Sequence, residues 1–375
     1  MNKKKKNGTI EFLRFIFCMI VFFYHIQKHI LGGLPSLKNG IHISFFANGA
    51  MGVEFFFLVS GFLMAKSIVK SNKEEKINFD NLGKDTWLFL FKKWVSIFPY
   101  HLVAFILLFI QVCVINNYNL IAIIKNFIDT IPHIFLFYMS GISFYNPNYV
   151  VWYISSMFLS MFILYPICKR YYSNFVKIIA PILCVFLLGQ LIYYYDSLTG
   201  VMDWTIVGYK SIIRAIIEIS MGVIAHEISV WLSGIKITNL KKNILKILEI
   251  CCYLCVVFYM LCTFSRHYEF YCLLVLFVSI IITFSGITSS GRMNNKVIYF
   301  LGKASLPIYL SQVFAINLVN YMFVNYSDIE RVILTILIDF LLSFVVYFLG
   351  EKLRKIIFKL KNNMEIKDDD HLVQI

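Results

Sequence analysis

Apolar residues occur in runs of about 20 along almost the whole chain, and shorter polar segments separate these runs. A helix of that length crosses a hydrocarbon core of about 30 Å. The pattern therefore predicts an all-α integral membrane protein with ten transmembrane helices. The predicted spans are Ile10–Leu31, Phe45–Val69, Trp94–Ile115, Val150–Cys168, Val176–Tyr195, Tyr209–Leu232, Ile244–Phe264, Phe270–Ile287, Ala304–Val324 and Val332–Leu349.

A shorter apolar segment lies between the third and fourth spans. This segment, Ile131–Tyr145, is about 15 residues long and contains Pro132, His133 and Gly141. An eleventh span here would invert the orientation of every later helix. We therefore interpret Asn116–Tyr149 as a loop on the outer side that holds a partly buried or re-entrant element.

Charge gives the chain an orientation. The 375 residues carry a net charge of +14, and 59% of them are hydrophobic. In the ten-span arrangement, 27 of the 35 Lys and Arg residues fall on the side of the two termini and 6 on the other, while Arg14 and Arg214 lie within spans. Basic loops remain cytoplasmic. Both termini are thus predicted to be cytoplasmic, and the positive charge reflects topology rather than nucleic-acid binding.

The domain organisation is simple. We predict a basic cytoplasmic N-terminus at residues 1–9, a transmembrane domain at residues 10–350 and a cytoplasmic tail at residues 351–375. The first apolar run follows MNKKKKNG without a small-residue cleavage site, so it is expected to remain as an anchor. The nine cysteines fall in apolar stretches and are expected to pack as small hydrophobic residues.

Two ionisable residues, Arg14 and His25, lie 11 positions apart inside the first predicted span. An α-helix rises about 1.5 Å per residue, so about 16 Å separates them along its axis. A guanidinium near the cytoplasmic face suits a phosphate-bearing donor. An imidazole near the outer side can remove a proton from a hydroxyl nucleophile. The alternative is a buried, hydrogen-bonded histidine with an arginine that reaches the lipid headgroups.

The second span contains the sequence GVEFFFLVSGF, in which Glu54 and Ser60 are polar. By helical rise, Glu54 lies about 14 Å and His25 about 9 Å from the outer face. These similar depths predict that Glu54 orients the imidazole or stabilises its charged form. An ion pair that serves packing alone is the alternative interpretation.

Other polar residues accompany the third span and the later ones. Lys92 and Lys93 stand at the cytoplasmic edge of the third span, before Tyr100. Paired lysines at such an edge anchor headgroups, or they form a basic mouth for a polyphosphate beside Arg14, and spacing leaves both readings open. Further polar or amphipathic residues in later spans are Trp152, Arg214, Glu218, Ser305 and Tyr309.

Taken together and in this order, these patterns resemble membrane acyltransferase family 3, the bacterial integral-membrane O-acyltransferases of surface polysaccharides. The resemblance covers about residues 8–350. It rests on the Arg-x10-His first span, the Gly-Val-acid second span, a Trp…Tyr-Pro segment, an Arg/acid/Gly helix and the late FLGKASLPIYLSQ segment. The chain departs from the family pattern at Ser96 and at Gln312, and Met157, Phe158 and Met161 fill the stretch where the family often has a glutamate.

The resemblance implies a ten-helix domain that transfers an acyl group, usually acetyl, from cytoplasmic acyl-CoA to a sugar hydroxyl. It implies that His25 is catalytic with Glu54 as its acidic partner, and that Arg14, Lys92 and Lys93 contact the donor. Acyl-CoA is then a substrate, and neither a bound cofactor nor a metal is expected. The residues expected to support the site are Ser60, Tyr100, Trp152, Arg214, Glu218, Ser305 and Tyr309.

The expected partners are the lipid bilayer, acyl-CoA and a glycan acceptor, and the expected location is the bacterial plasma membrane. The acceptor, the acyl group and the oligomeric state stay open, as does the choice between direct transfer and a transient acyl-histidine. A multi-span transporter or glycan exporter is the alternative function, favoured by the intramembrane residues Arg214, Glu218 and Asp339. Acyl-CoA hydrolysis or transfer by purified protein separates these two functions.

Overall fold

A computed structural model describes residues 8–32, 45–74, 81–142, 147–205, 208–262, 264–288 and 295–372. Within these residues the chain is helical apart from short turns and one isolated bridge. The helices are α1 (Gly8–His29), α2 (Gly52–Glu74), α3 (Leu82–Ile115), α4 (Leu120–Ile134), α5 (Trp152–Arg170), α6 (Tyr172–Asn174), α7 (Ala180–Tyr195), α8 (Lys210–Gly234), α9 (Asn239–Leu261), α10 (Glu269–Ser285), α11 (Lys296–Met322) and α12 (Asp328–Leu372).

Ten helical segments of the described chain are long and apolar enough to cross a membrane, which confirms the predicted fold class. One of them, Tyr172–Tyr195, joins α6 and α7 through a π-helical turn at Phe175–Ile179. Each predicted span overlaps one of these segments. The helices differ from the predicted spans mainly in length, because charged residues continue a helix beyond the apolar part that hydropathy detects.

The largest differences lie in α3 and α12. Helix α3 begins at Leu82 rather than at Trp94, so the basic pair Lys92 and Lys93 is helical and not part of a loop. Helix α12 continues through residue 351 to Leu372, so no break separates the span from the predicted tail. Lysine and glutamate are good helix formers, which explains why both helices extend into polar sequence.

Helix α4 lies in the predicted outer loop Asn116–Tyr149 and includes only the first four residues of the segment Ile131–Tyr145 that had suggested an eleventh span. The side chain of Asn119 caps α4 by accepting a hydrogen bond from the Ala122 N–H at 2.9 Å. With 15 residues, α4 is too short to span a bilayer. It buries Thr130 and His133 while an apolar face that includes Ile121 stays exposed. The loop Asn116–Tyr149 therefore contains a partly buried helix, in line with the partly buried element expected there.

The bundle is organised around two helices. Helix α8 packs against α2, α5, α7 and α10, whereas α11 packs against α1, α3 and α12. Contacts between α1 and α2 and between α3 and α5 join the two groups.

Helices α2 and α8 meet at small residues. A Cβ atom on Gly61 would overlap the carbonyl oxygen of Ile219, and one on Gly222 would overlap that of Leu58. Small residues allow helix backbones to approach this closely inside a membrane. This close contact sets the separation at which side chains of α2 and α8 meet.

Candidate functional site

The predicted site residues lie on five helices around the junction of the two helix groups and on a sixth, α3. His25 and Arg14 lie on α1, and the others lie on α2 (Glu54, Ser60), α3 (Lys92, Lys93, Tyr100), α5 (Trp152), α8 (Arg214, Glu218) and α11 (Ser305, Tyr309). The structure brings some of them into direct contact and separates others.

Three rings form a cluster at the end of α1, which we call the His25 cluster: His25, His29 and Tyr149. The His25 ring centroid lies 5.9 Å from that of His29 and 5.4 Å from that of Tyr149. The His29 and Tyr149 centroids are 5.2 Å apart. Residues four apart share one helix face, so both histidines of α1 point toward the tyrosine.

Two polar atoms of the His25 cluster are buried without a hydrogen bond to any described residue. These atoms are Nδ1 of His25 and the hydroxyl oxygen of Tyr149. An unsatisfied buried polar group costs about 1–3 kcal/mol. Such groups are rare in folded proteins and call for an explanation when they occur. A histidine and a tyrosine with unused donors and acceptors are suited to receive a polar ligand.

The turn that carries Tyr149 is anchored to α11. The Asn148 side chain donates a hydrogen bond to the Leu310 carbonyl oxygen at 3.0 Å. The Tyr309 hydroxyl donates one to the Val150 carbonyl oxygen. Tyr309 thus supports the site by fixing the backbone on both sides of Tyr149, together with Asn148, and does so as part of α11.

The predicted contact between Glu54 and His25 is wrong. Glu54 is fully buried, and its Oε1 atom accepts a hydrogen bond from Nη2 of Arg214. Its other oxygen and Nδ1 of His25 both lack a hydrogen bond within the described chain. Helical rise gave the two side chains similar depths, but α2 presents Glu54 to α8, because the glycine contact brings these two helices together.

Arg214 is the centre of a second group, which we call the Arg214 network: Arg214, Glu54, Glu218 and the Leu198 carbonyl. Nε of Arg214 donates to Oε1 of Glu218 at 3.0 Å, and Nη1 donates to the Leu198 oxygen at 3.1 Å. The guanidinium also lies 5.4 Å from the Trp152 ring centroid, a cation–π contact. One buried guanidinium is thus paired with two carboxylates.

The Arg214 network also holds the connection between α7 and α8. The Leu198 peptide donates its N–H to Oε2 of Glu269 at 2.5 Å, while its carbonyl accepts from Arg214. The Ser197 hydroxyl donates to the same Glu269 oxygen at 2.9 Å. Lys210 donates to the Thr199 carbonyl oxygen. The network therefore ties α2, α8 and α10 to this connection.

Arg14 lies toward the opposite end of α1 from His25. Its side chain is 38% exposed, and Nη1 lies 3.6 Å from Oε2 of Glu11. Lys93 lies on α3, and its side chain is partly buried. The side chain of Lys92 is exposed and lines a cleft against α12. Successive helical residues point about 100° apart, so the lysine pair divides between two faces.

Polar side chains lie in the interior between Arg14 and the His25 cluster. The hydroxyls of Tyr153 and Ser60 lie 3.7 and 3.2 Å from Sδ of Met157. The Tyr153 ring centroid is 6.2 Å from that of Tyr309. Ser60 thus contacts α5 in the interior of the bundle, and its role in the site stays a prediction.

Two predicted residues have structural contacts instead. The Tyr100 hydroxyl donates to Glu351, so it joins α3 to α12. The Ser305 hydroxyl donates to the Gly302 oxygen at 2.7 Å, and the Ser305 carbonyl accepts from Sγ of Cys18 at 3.1 Å. Both residues stabilise helix contacts near α11 and α12.

Sequence reasoning missed two members of the His25 cluster as site residues, His29 and Tyr149. The signal for His29 was its spacing of four residues from His25. Tyr149 was visible only as one of several aromatic residues in an outer loop. No group of three or more His, Cys, Asp or Glu residues in the described segments is arranged to hold a metal ion.

Comparison with known proteins gives one match. A family model described as an acyltransferase domain matches residues 7–350. Neither the curated proteins nor the solved structures contain a match to the chain.

Proposed function

The chain belongs to the acyltransferase 3 family of membrane-bound acyltransferases, and we propose that it transfers an acyl group, most simply acetyl, from acyl-CoA to a hydroxyl of a cell-surface or lipid-linked glycan. The observation that carries this proposal is the His25 cluster, in which a histidine and a tyrosine keep buried polar atoms without hydrogen bonds. Family membership favours this enzyme over the transporter that intramembrane charges had suggested.

His25 acts as the general base in this proposal. A sugar hydroxyl has a high pKa, so its proton must be removed as its oxygen attacks the thioester carbonyl. A ring nitrogen of His25 accepts that proton. As the carbon–sulfur bond breaks, the protonated imidazole donates the proton to the departing CoA sulfur. Base assistance of this kind contributes about 10²–10⁴-fold.

Tyr149 assists the same step. Its hydroxyl is an O–H donor without a partner among the described residues, next to the His25 ring. Attack on the thioester places negative charge on the carbonyl oxygen, and a preorganised donor at that point lowers the barrier. We assign this donor role to Tyr149, with Tyr309 and Asn148 as positioning residues.

Arg14 and Lys93 form the donor contact in this proposal. Acyl-CoA carries phosphates, which the basic side chains of Arg14 on α1 and Lys93 on α3 complement. The helical rise places His25 about 16 Å from Arg14 along the axis of α1. Lys92 is not included, because its side chain lines the cleft against α12.

The donor end of α1 faces the cytoplasm in this proposal, as the 27-to-6 distribution of basic residues supports. A cysteine introduced at Asn239 should react with an impermeant maleimide only from the cytoplasmic side, and one at Asn39 only from outside. Labelling of both from the same side would reject this orientation.

The test of the function uses purified protein in nanodiscs with radiolabelled acetyl-CoA and a membrane glycan extract. We expect CoA release and transfer of label to the glycan fraction, in proportion to protein. The substitution Gly189→Ala provides a control for handling, because a Cβ there meets nothing within 4 Å. Donor binding without any CoA release, with every glycan fraction tried, would contradict the proposal.

A further inference from the structure

A cleft lies between α3 and α12 near the basic end of the bundle. Its lining residues are Phe91, Lys92, Val95, Ile357 and Phe358. The cleft is a shallow groove that is partly open to its surroundings. Four of its five lining side chains are apolar, and the fifth is a cation. None of these five residues belongs to the His25 cluster or to the proposed donor contact of Arg14 and Lys93.

Contacts between α3 and α12 fix the position of the cleft. The Tyr100 hydroxyl donates to Glu351, and Gly350 packs against the Tyr100 ring. Val95 precedes Tyr100 by five residues and Phe358 follows Glu351 by seven. The cleft therefore begins about 7–10 Å from this contact, toward the basic ends of both helices.

Aromatic residues place this part of α3 at a membrane surface. The rings of Trp87, Phe91, Trp94 and Phe98 follow one another along the helix, with successive centroid distances of 6.1, 6.0 and 3.9 Å. Trp87 is exposed. Tryptophan is enriched where a span meets the lipid headgroups, so the cleft opens at headgroup level.

The charge around the cleft is positive. Helix α12 carries Lys352, Arg354, Lys355 and Lys359 beside the cleft residues Ile357 and Phe358. The acid of this stretch, Glu351, accepts from Tyr100 and lies 3.0 Å from Arg354. On α3, Asp85 pairs with Lys169. Glu351 and Asp85 are therefore both paired, and Lys92 lines the cleft.

We propose that this cleft binds an anionic phospholipid. Lys92 contacts the headgroup phosphate, and the α12 cations supply further attraction. Phe91, Val95, Ile357 and Phe358 pack against the first part of an acyl chain. Basic clefts between transmembrane helices on the cytoplasmic side recognise anionic headgroups in this way. This site is separate from acyl transfer and does not depend on it.

The test is native mass spectrometry of the purified protein with added phosphatidylglycerol or phosphatidylcholine. We expect wild type to retain phosphatidylglycerol in preference to phosphatidylcholine. Lys92→Gln should reduce that retention about fivefold, because a basic residue near a lipid surface contributes about 1 kcal/mol. Lys84→Gln is the matched control: Lys84 is an exposed lysine of α3 outside the cleft, and its substitution should leave retention unchanged.

A second pair of variants tests the apolar part. Phe358→Ala should reduce the retention of phosphatidylglycerol. Phe344 is an exposed phenylalanine of α12 outside the cleft, and Phe344→Ala should leave retention unchanged. Excess CoA should leave the lipid bound. Equal retention in Lys92→Gln and wild type, equal retention of both lipids, or displacement of the lipid by CoA would each overturn the proposal. Displacement by CoA would return Lys92 to the donor site.

Discussion

The His25 cluster and the Arg214 network are both buried polar groups inside a membrane-spanning bundle, yet they are built differently. In the Arg214 network the guanidinium donates to two carboxylates and a carbonyl, so each of its three nitrogens is paired, although one oxygen of each carboxylate has no hydrogen bond within the described chain. In the His25 cluster, Nδ1 of His25 and the Tyr149 hydroxyl have no hydrogen bond within the described chain.

This difference separates stability from function. Removing one partner of a buried ion pair strongly lowers the stability of the fold, because the other charge stays buried without compensation. An unsatisfied polar atom already costs free energy in the unliganded protein. Removing only that atom should therefore not destabilise the fold, and in the His25 cluster we relate the unsatisfied atoms to the proposed reaction. The two groups should therefore respond to substitution in opposite ways.

Arg214→Met should give the largest loss of stability. The change leaves Glu54 and Glu218 buried without their cation, which typically costs about 3–5 kcal/mol. The expected result is poor yield and a large drop in the thermal unfolding midpoint in detergent. Replacing all three residues together, as Arg214→Met, Glu54→Leu and Glu218→Leu, should recover much of that stability. A stable single variant would break the comparison, since the network would then not be structural.

Gly222→Ala should be the next most damaging change. The new Cβ would overlap the Leu58 carbonyl oxygen of α2. Overpacking of this kind costs about 1–3 kcal/mol, and backbone atoms cannot rotate away as a side chain can. Separation of α2 from α8 would also weaken the pair of Glu54 with Arg214. Thermal unfolding measures the loss, and Gly189→Ala, in open space on α7, is the control that should stay close to wild type.

Tyr149→Phe should show the opposite behaviour. The change removes one hydroxyl that has no partner in the described structure, so the unfolding midpoint should be unchanged or slightly raised. The transfer rate at saturating donor should fall about tenfold, which corresponds to about 1.4 kcal/mol of activation free energy. A loss of stability with an unchanged rate would move Tyr149 into the scaffold and weaken the distinction between the two groups.

Arg14→Lys should have the smallest effect. Lysine keeps the charge but loses the two-pronged geometry of the guanidinium. Acyl-CoA should bind about three- to tenfold more weakly, a loss of up to about 1.4 kcal/mol. Stability should not change, because the contact with Glu11 is partly exposed and such pairs contribute little. Equilibrium binding of CoA measures this effect; unaltered affinity in Arg14→Ala would remove Arg14 from the donor site.

Hydropathy was sufficient to predict the ten spans, because bilayer thickness sets the length of each apolar run. It was not sufficient for the ends of α3 and α12, where lysines continue the helix past the apolar residues. The different directions of Lys92 and Lys93 were predictable in principle from the helical repeat. These features depend on local sequence alone.

The partners of the site residues depend on packing between helices, which a single sequence does not encode in a readable form. Depth along the helix put Glu54 near His25, but the contact of Gly61 and Gly222 with the facing backbones brings α2 against α8 and Glu54 to Arg214. Tyr149 lies in a turn whose position is set by Asn148 and by Tyr309 of α11, so sequence gave no reason to bring it to His25.

The central claim is that His25 carries out acyl transfer without holding the fold together. The most direct measurement is the rate of acetyl transfer by reconstituted His25→Ala, with the unfolding midpoint and CoA affinity of the same sample. The matched control is His267→Ala, because His267 is an exposed histidine that pairs with Asp196. We predict a loss of at least about 10²-fold in rate, with stability and CoA binding close to wild type. Near-normal transfer by a well-folded His25→Ala protein would contradict the claim.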